Sequence, residues 1–148
     1  MKLKKLQTFS GFIFGVFCLA AIRLFEQSLF HDPLIDFYHG NFLDAEFPDL
    51  DFWVYSLNIS FRYFLNTLAS LFIIWIIFRK KNYIKFSLLL YVFLFVVCFT
   101  LFWIIENNIV SEYYMRLFYV RRFLIQPLLV IILLPAFYFQ QLNKKTVQ

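Results

Sequence analysis

Cysteine, glycine and histidine are scarce in this chain, and each shortage closes a route to function. The two cysteines, Cys18 and Cys98, each lie inside an apolar run, a pattern that gives neither a disulfide framework nor a metal knuckle. Three glycines in 148 residues leave no Gly/Ser linker, and no repeat or low-complexity tract is visible. The two histidines, His31 and His39, belong to no His-Glu-x-x-His motif. Gly-x-Ser-x-Gly and a glycine-rich phosphate loop are missing as well, so no signature of a zinc hydrolase, a serine hydrolase or a nucleotide-binding enzyme is present. No cofactor is called for. Charge is also unevenly withheld: residues 31–52 contain no lysine or arginine, and residues 86–105 contain no charge of either sign.

What is abundant is apolar and aromatic. A hydrophobic fraction of 62% and a mean hydropathy of +0.72 are too high for a water-soluble fold. Twenty-three phenylalanines, nine tyrosines and three tryptophans suit a small helical membrane protein with aromatic ends at the interfaces. The net charge of +5 does not make a nucleic-acid surface, because the basic residues flank or enter apolar runs and form no exposed stripe. The chain reads as one all-α integral membrane domain, 1–148, lodged in a lipid bilayer.

Four spans are expected, at about 9–30, 53–78, 86–105 and 117–139. The first begins like a signal peptide, with Lys2, Lys4 and Lys5 ahead of an apolar core. The run passes Ala20-Ala21 and resumes with Arg23, so the helix is expected to stay uncleaved. Gly11 and Gly15 form a small-xxx-small pair that invites a close neighbour. Between the first two spans lies a short acidic segment: Asp32 before Pro33 reads as an N-cap with proline in the first turn, Gly40 as the end of a short helix, and Leu34, Ile35, Phe37 and Tyr38 as a face lying on the membrane surface. Nine of the 14 basic residues fall at the two ends and in the 79–85 loop, whereas eight of the nine acidic residues fall in the other two loops. By the positive-inside rule both ends are cytoplasmic.

Charges that enter the spans are the candidate site. In the second span Asn58, Arg62, Asn66 and Ser70 recur at steps of four, which aligns them on one inward stripe. Counting ~1.5 Å per residue from the cytoplasmic flank puts Arg23 about 27 Å, Arg62 about 25 Å and Arg122 about 33 Å up. Three helices therefore bring arginine to one layer beneath the outer surface. Arg23 and Glu26 can pair three apart, and Arg122 and Gln126 four apart. Arg121 projects about 100° from Arg122, so the two cannot face one centre. Within the spans, four arginines (Arg23, Arg62, Arg121, Arg122) meet one carboxylate, Glu26. Three readings balance the charge: arginines snorkelling to lipid phosphate while Asp32 or Asp36 folds back; a site for an anionic group; or an intramembrane contact with a protein that supplies acids. If a fork of guanidinium contacts is at work, lysine should fail at Arg62 and Arg122 and be milder at Arg121. Cys18 and Cys98 read as small buried residues, not nucleophiles. His31, Asp32, Asp36 and His39 lack a tight metal motif.

Two stretches, Arg23-Leu-Phe-Glu-Gln-Ser-Leu-Phe-His-Asp-Pro-Leu34 and Phe118-Tyr-Val-Arg-Arg-Phe-Leu-Ile-Gln-Pro-Leu128, with Pro135-Ala-Phe-Tyr-Phe-Gln140 behind them, carry a resemblance. The chain resembles the exosortase F system-associated membrane proteins, and the likeness runs over nearly its whole length. These are small proteins of Gram-negative bacteria, encoded beside a membrane transpeptidase-like cysteine enzyme that processes C-terminal sorting signals. The resemblance implies a multi-pass inner-membrane accessory protein, not itself an enzyme, with exosortase F as a partner. An aromatic residue usually stands where this chain has His31. Arg23, Glu26, Arg62, Asn66, Arg121, Arg122 and Gln126 are then the residues expected to meet the partner, an anionic lipid or a sorting-signal group. The alternative is a small membrane transporter or binding module for an anionic ligand or lipid.

Overall fold

The computed structural model describes residues 2–30, 32–41 and 46–146, and all regular structure among them is helical. Helix α1 (Lys2–Leu24) is followed by the single turn α2 (Glu26–Leu29) and the short α3 (Pro33–His39). Two long helices come next, α4 (Phe52–Phe78) and α5 (Lys81–Glu106). A 3-10 turn at Ser111–Tyr113 leads into α6 (Tyr114–Ile125), and α7 (Leu128–Thr146) ends the chain. Three helices, over Leu6–Leu24, Phe52–Phe78 and Lys81–Glu106, are long and apolar enough to cross a membrane. The last region differs from the unbroken span expected at 117–139. It is a pair of helices bent by 59°, which makes a fourth crossing only if the pair counts as one span.

Proline causes that bend. Pro127 has no N–H and disfavours helical backbone at the residue before it, and Gln126 is extended at φ −111°, ψ 140°. The break frees the carbonyl of Ile125, a buried acceptor that needs a donor. Asn66 of α4 supplies it, with Nδ2 at 3.0 Å. A smaller break interrupts the first span, which leaves its helix at Phe25 and restarts at Glu26.

Helix α4 is the hub, touching α1, α5, α6 and α7. Helix α1 lies along it with no room to spare: a Cβ at Gly11 would sit 2.7 Å from Ile76 Cγ1, and one at Gly15 would be closer still to Ile73. The core on the other side is largely aromatic, with Tyr55 stacked on Phe102 at 5.2 Å and Tyr83 on Phe137 at 4.5 Å. Helix α3 begins as the Asp-Pro pair suggests, Asp32 Oδ1 accepting from the Leu34 N–H at 3.1 Å. Its apolar face is turned differently from the expectation. Leu34 and Ile35 are buried, Phe37 meets the Tyr114 ring at 5.3 Å, and Tyr38 donates to the Tyr114 carbonyl at 2.9 Å. Those side chains pack on the start of α6 instead of lying on lipid, because a ready apolar partner sits beneath them.

Candidate functional site

Residues on five elements meet where α2, α3 and the loops on that side close over α4 and α6. Glu26, at the first position of α2, accepts from Arg23 Nη1 at 2.8 Å and from Arg62 Nη2. Arg62 also places Nη1 3.8 Å from Asp32 Oδ2, so one guanidinium spans two carboxylates. Asp32 Oδ2 takes a second arginine, Arg121, through Nη2 at 2.5 Å. Arg121 then donates through Nε to the Tyr55 hydroxyl at 3.3 Å. The result is one chain of charge running Arg23, Glu26, Arg62, Asp32, Arg121 and ending on Tyr55. Two aromatic rings cover it: Phe30 lies 5.5 Å from the Arg62 guanidinium carbon and Tyr38 5.8 Å from that of Arg121. Tyr38 stands outside the spans, and burial pushes its phenol up to about 12 against the opposing pull of Arg121.

The stripe on α4 has buried members in Arg62, Asn66 and Ser70 and a half-buried one in Asn58. Asn66 holds the α6 break, and Ser70 bonds back to the Asn66 carbonyl at 2.7 Å. Of the adjacent arginines it is Arg121 that turns inward, at 4% exposure, while Arg122 is exposed and donates through Nε to Gln126 Oε1 at 2.9 Å. The face of α6 decides this. Tyr114, Leu117, Arg121, Leu124 and Ile125 are its buried residues, a helical stripe that can be read from the sequence by spacing of three and four. Asp32 both caps α3 and folds back onto the arginines, as the first of the three charge-balancing readings has it, one oxygen to each task.

Four arginines against two carboxylates leave this cluster with two positive charges over. Arg122 is exposed and bonded to the neutral Gln126, and Arg23, whose side chain is 55% exposed, shares Glu26 with Arg62. Both line a cavity of about 260 Å³ whose wall also includes Glu26, Arg121, Tyr38, His39, Phe118 and Gln126. Elsewhere the chemistry is sparse. Cys98 is buried and Cys18 half-buried, both as free thiols, and among the described residues no group of three or more His, Cys, Asp or Glu could hold a metal ion. His31 lies outside the described residues.

Fold and site together define a chain whose regular structure, among the described residues, is all helical, with three helices long and apolar enough to cross a membrane, or four if the bent pair is one span, and with a buried arginine–carboxylate cluster beneath a cavity lined by three arginines and Glu26. No protein-family model, curated protein or solved structure matches it.

Proposed function

We propose that this chain is a non-catalytic accessory protein of the bacterial inner membrane, with four crossings and both ends in the cytoplasm, that serves an exosortase F sorting system by binding an anionic group. The sorting system rests on the sequence resemblance, and the orientation on the placement of lysine and arginine. The binding reading is carried by one observation. Arg23, Arg121 and Arg122 line a cavity in which Glu26 is the one carboxylate among the lining residues, and Arg122 is bonded there only to the neutral Gln126, so the wall keeps a net positive charge. Internal pairing of Arg62 and Arg121 explains how charge is tolerated at this depth, but it leaves Arg122 on a neutral glutamine and Arg23 sharing Glu26 with Arg62.

The test is cargo sorting in cells lacking the protein and complemented with variants. Arg23→Gln with Arg122→Gln should sort like the deletion while the protein stays at wild-type abundance. Normal sorting by that variant refutes an anion site in the sorting role, and normal sorting by the deletion itself refutes the accessory role.

The second reading, a carrier for an anion, is favoured by the broken α6–α7 pair beside the cavity, since discontinuous helices build many transporter sites. It requires accumulation of the anion in proteoliposomes, whereas an accessory binder gives none.

A further inference from the structure

The cavity has the size and wall of a lipid headgroup site. We propose that its anion is the phosphodiester of an anionic phospholipid, an inference that rests on the anion-binding reading above and narrows it. At about 260 Å³ the cavity falls just below the ~300–1,000 Å³ that encloses a drug-sized ligand, so it takes a headgroup and not a peptide segment. Its two outer cations come from different elements, Arg23 from the end of α1 and Arg122 from α6, and the Glu26 carboxylate in the wall is already taken by Arg23 and Arg62. Each has one donor committed inside the protein, Nη1 of Arg23 to Glu26 and Nε of Arg122 to Gln126, and each keeps further N–H groups. Two separate guanidiniums suit a tetrahedral phosphodiester, whose non-bridging oxygens diverge.

Position favours a lipid over a soluble phosphate. Arg23 stands at the end of a helix long and apolar enough to cross a membrane, and Leu24 and Phe25 beside it are 79% and 59% exposed. On α6 the sequence neighbours of Arg122 include the exposed Tyr119 and Phe123. Cationic side chains flanked by exposed apolar ones match a molecule with an anionic head and acyl chains, at the depth where long arginine side chains reach phosphate. The wall itself is mixed in the same way, with Ile35, Phe118 and Ile125 beside the polar groups.

The experiment uses the full chain purified in detergent and equilibrated with equal amounts of phosphatidylglycerol and phosphatidylcholine, with retained lipid counted by native mass spectrometry. Phosphatidylglycerol should be retained over phosphatidylcholine by about tenfold, because the two share the phosphodiester and only phosphatidylcholine adds a quaternary ammonium that the guanidiniums repel. Arg122→Gln should remove most of that preference. It is the variant least exposed to misfolding, because Arg122 is on the surface and its partner is neutral. Arg79→Gln, whose arginine bonds Thr8 at the far end of α4, should keep the preference. Equal retention of the two lipids, or equal loss in both variants, overturns the proposal. Two soluble competitors separate its parts. If glycerol phosphate displaces phosphatidylglycerol at equal concentration, the site is for free phosphate and the lipid claim falls. If acetylated trialanine, a soluble carboxylate, displaces it better than glycerol phosphate does, the phosphodiester claim falls while anion binding stands. Retention of no anion at all ends both.

Discussion

Neutralising Asp32 while keeping its shape is the sharpest perturbation of the cluster. Asp32 Oδ1 caps α3 and Oδ2 receives Arg121 at 2.5 Å, with Arg62 3.8 Å away. Asparagine can still accept the Leu34 N–H, so Asp32→Asn isolates charge from capping. Arg121 is 4% exposed and is left with only a tyrosine hydroxyl and the Tyr38 ring. Removing one member of a buried pair costs about 3–5 kcal/mol, most of it the penalty of the stranded charge. Arg62 should suffer less because Glu26 still holds it. Asp32→Ala adds the loss of the cap, about 1 kcal/mol more. The stranded-charge argument also predicts rescue: Asp32→Asn combined with Arg121→Met removes both charges and should recover stability, with a coupling of at least about 1 kcal/mol. Equilibrium unfolding in mixed micelles, followed by circular dichroism, measures five proteins: wild type, Asp32→Asn, Asp32→Ala, Arg121→Met and the double variant. An Asp32→Asn variant within about 0.5 kcal/mol of wild type, or strict additivity in the double variant, would falsify the claim that this pair is buried and mutually dependent.

Three further outcomes are expected. Gly15→Ala should destabilise by about 1–3 kcal/mol through overpacking against Ile73, and the same change should cost less in an Ile73→Ala background, where the crowding is relieved; an unaffected melting midpoint means α1 does not lie where the glycines place it. Tyr38, with its phenol raised from 10.0 to about 12, keeps its proton longer folded than unfolded, so its contribution is intact below about pH 10 and fades as pH rises through about 12; Tyr38→Phe should flatten the melting midpoint over that window, and an unchanged slope contradicts the burial. A reporter active only outside the cytoplasm should signal when fused after Gly40 or Asn108 and stay silent after Lys81 or Lys145, and a signal from the Lys81 fusion overturns the four-crossing topology.

Local rules read much of this chain. Apolar length placed α4 within a residue of Phe52–Phe78, and Asp32-Pro33 with Gly40 bounded α3. Period-four spacing put Arg62, Asn66 and Ser70 on one buried face. What escaped was non-local. The Asp32–Arg121 bond joins residues 89 apart; a carboxylate folding back from Asp32 or Asp36 is legible as one way to balance the arginines, but which of the two meets which arginine is not. Exposure of the α3 apolar face was likewise undecidable until α6 supplied Tyr114 and Phe118 as partners. The bend at Gln126 is different, for its signal was present in the Gln-Pro dipeptide. Reading apolar content as continuous span length overrode it.

Lysine substitutions now sort the arginines by depth, and the order differs from the one spacing alone suggested. Arg62 reaches Glu26 with one nitrogen and approaches Asp32 with another, a span that a single ammonium cannot cover. Arg121 uses Nη2 on Asp32 and Nε on Tyr55, so lysine there also gives up one contact and leaves a buried hydroxyl short of a donor, at about 1–3 kcal/mol. Both changes act on folding and should lower the amount of protein in the membrane. Arg122 is exposed and bonded to a neutral glutamine, so Arg122→Lys should leave abundance unchanged. Any effect it has must come from the fork it offers to an anion, which lysine replaces by a point charge. Arg121→Lys is therefore the harsher variant by membrane abundance, and Arg122→Lys the informative one by sorting at matched abundance. Immunoblotting of membrane fractions beside a cargo-sorting assay reads both. Should Arg122→Lys deplete the protein while Arg121→Lys does not, the two residues have exchanged roles and the cluster as described is wrong.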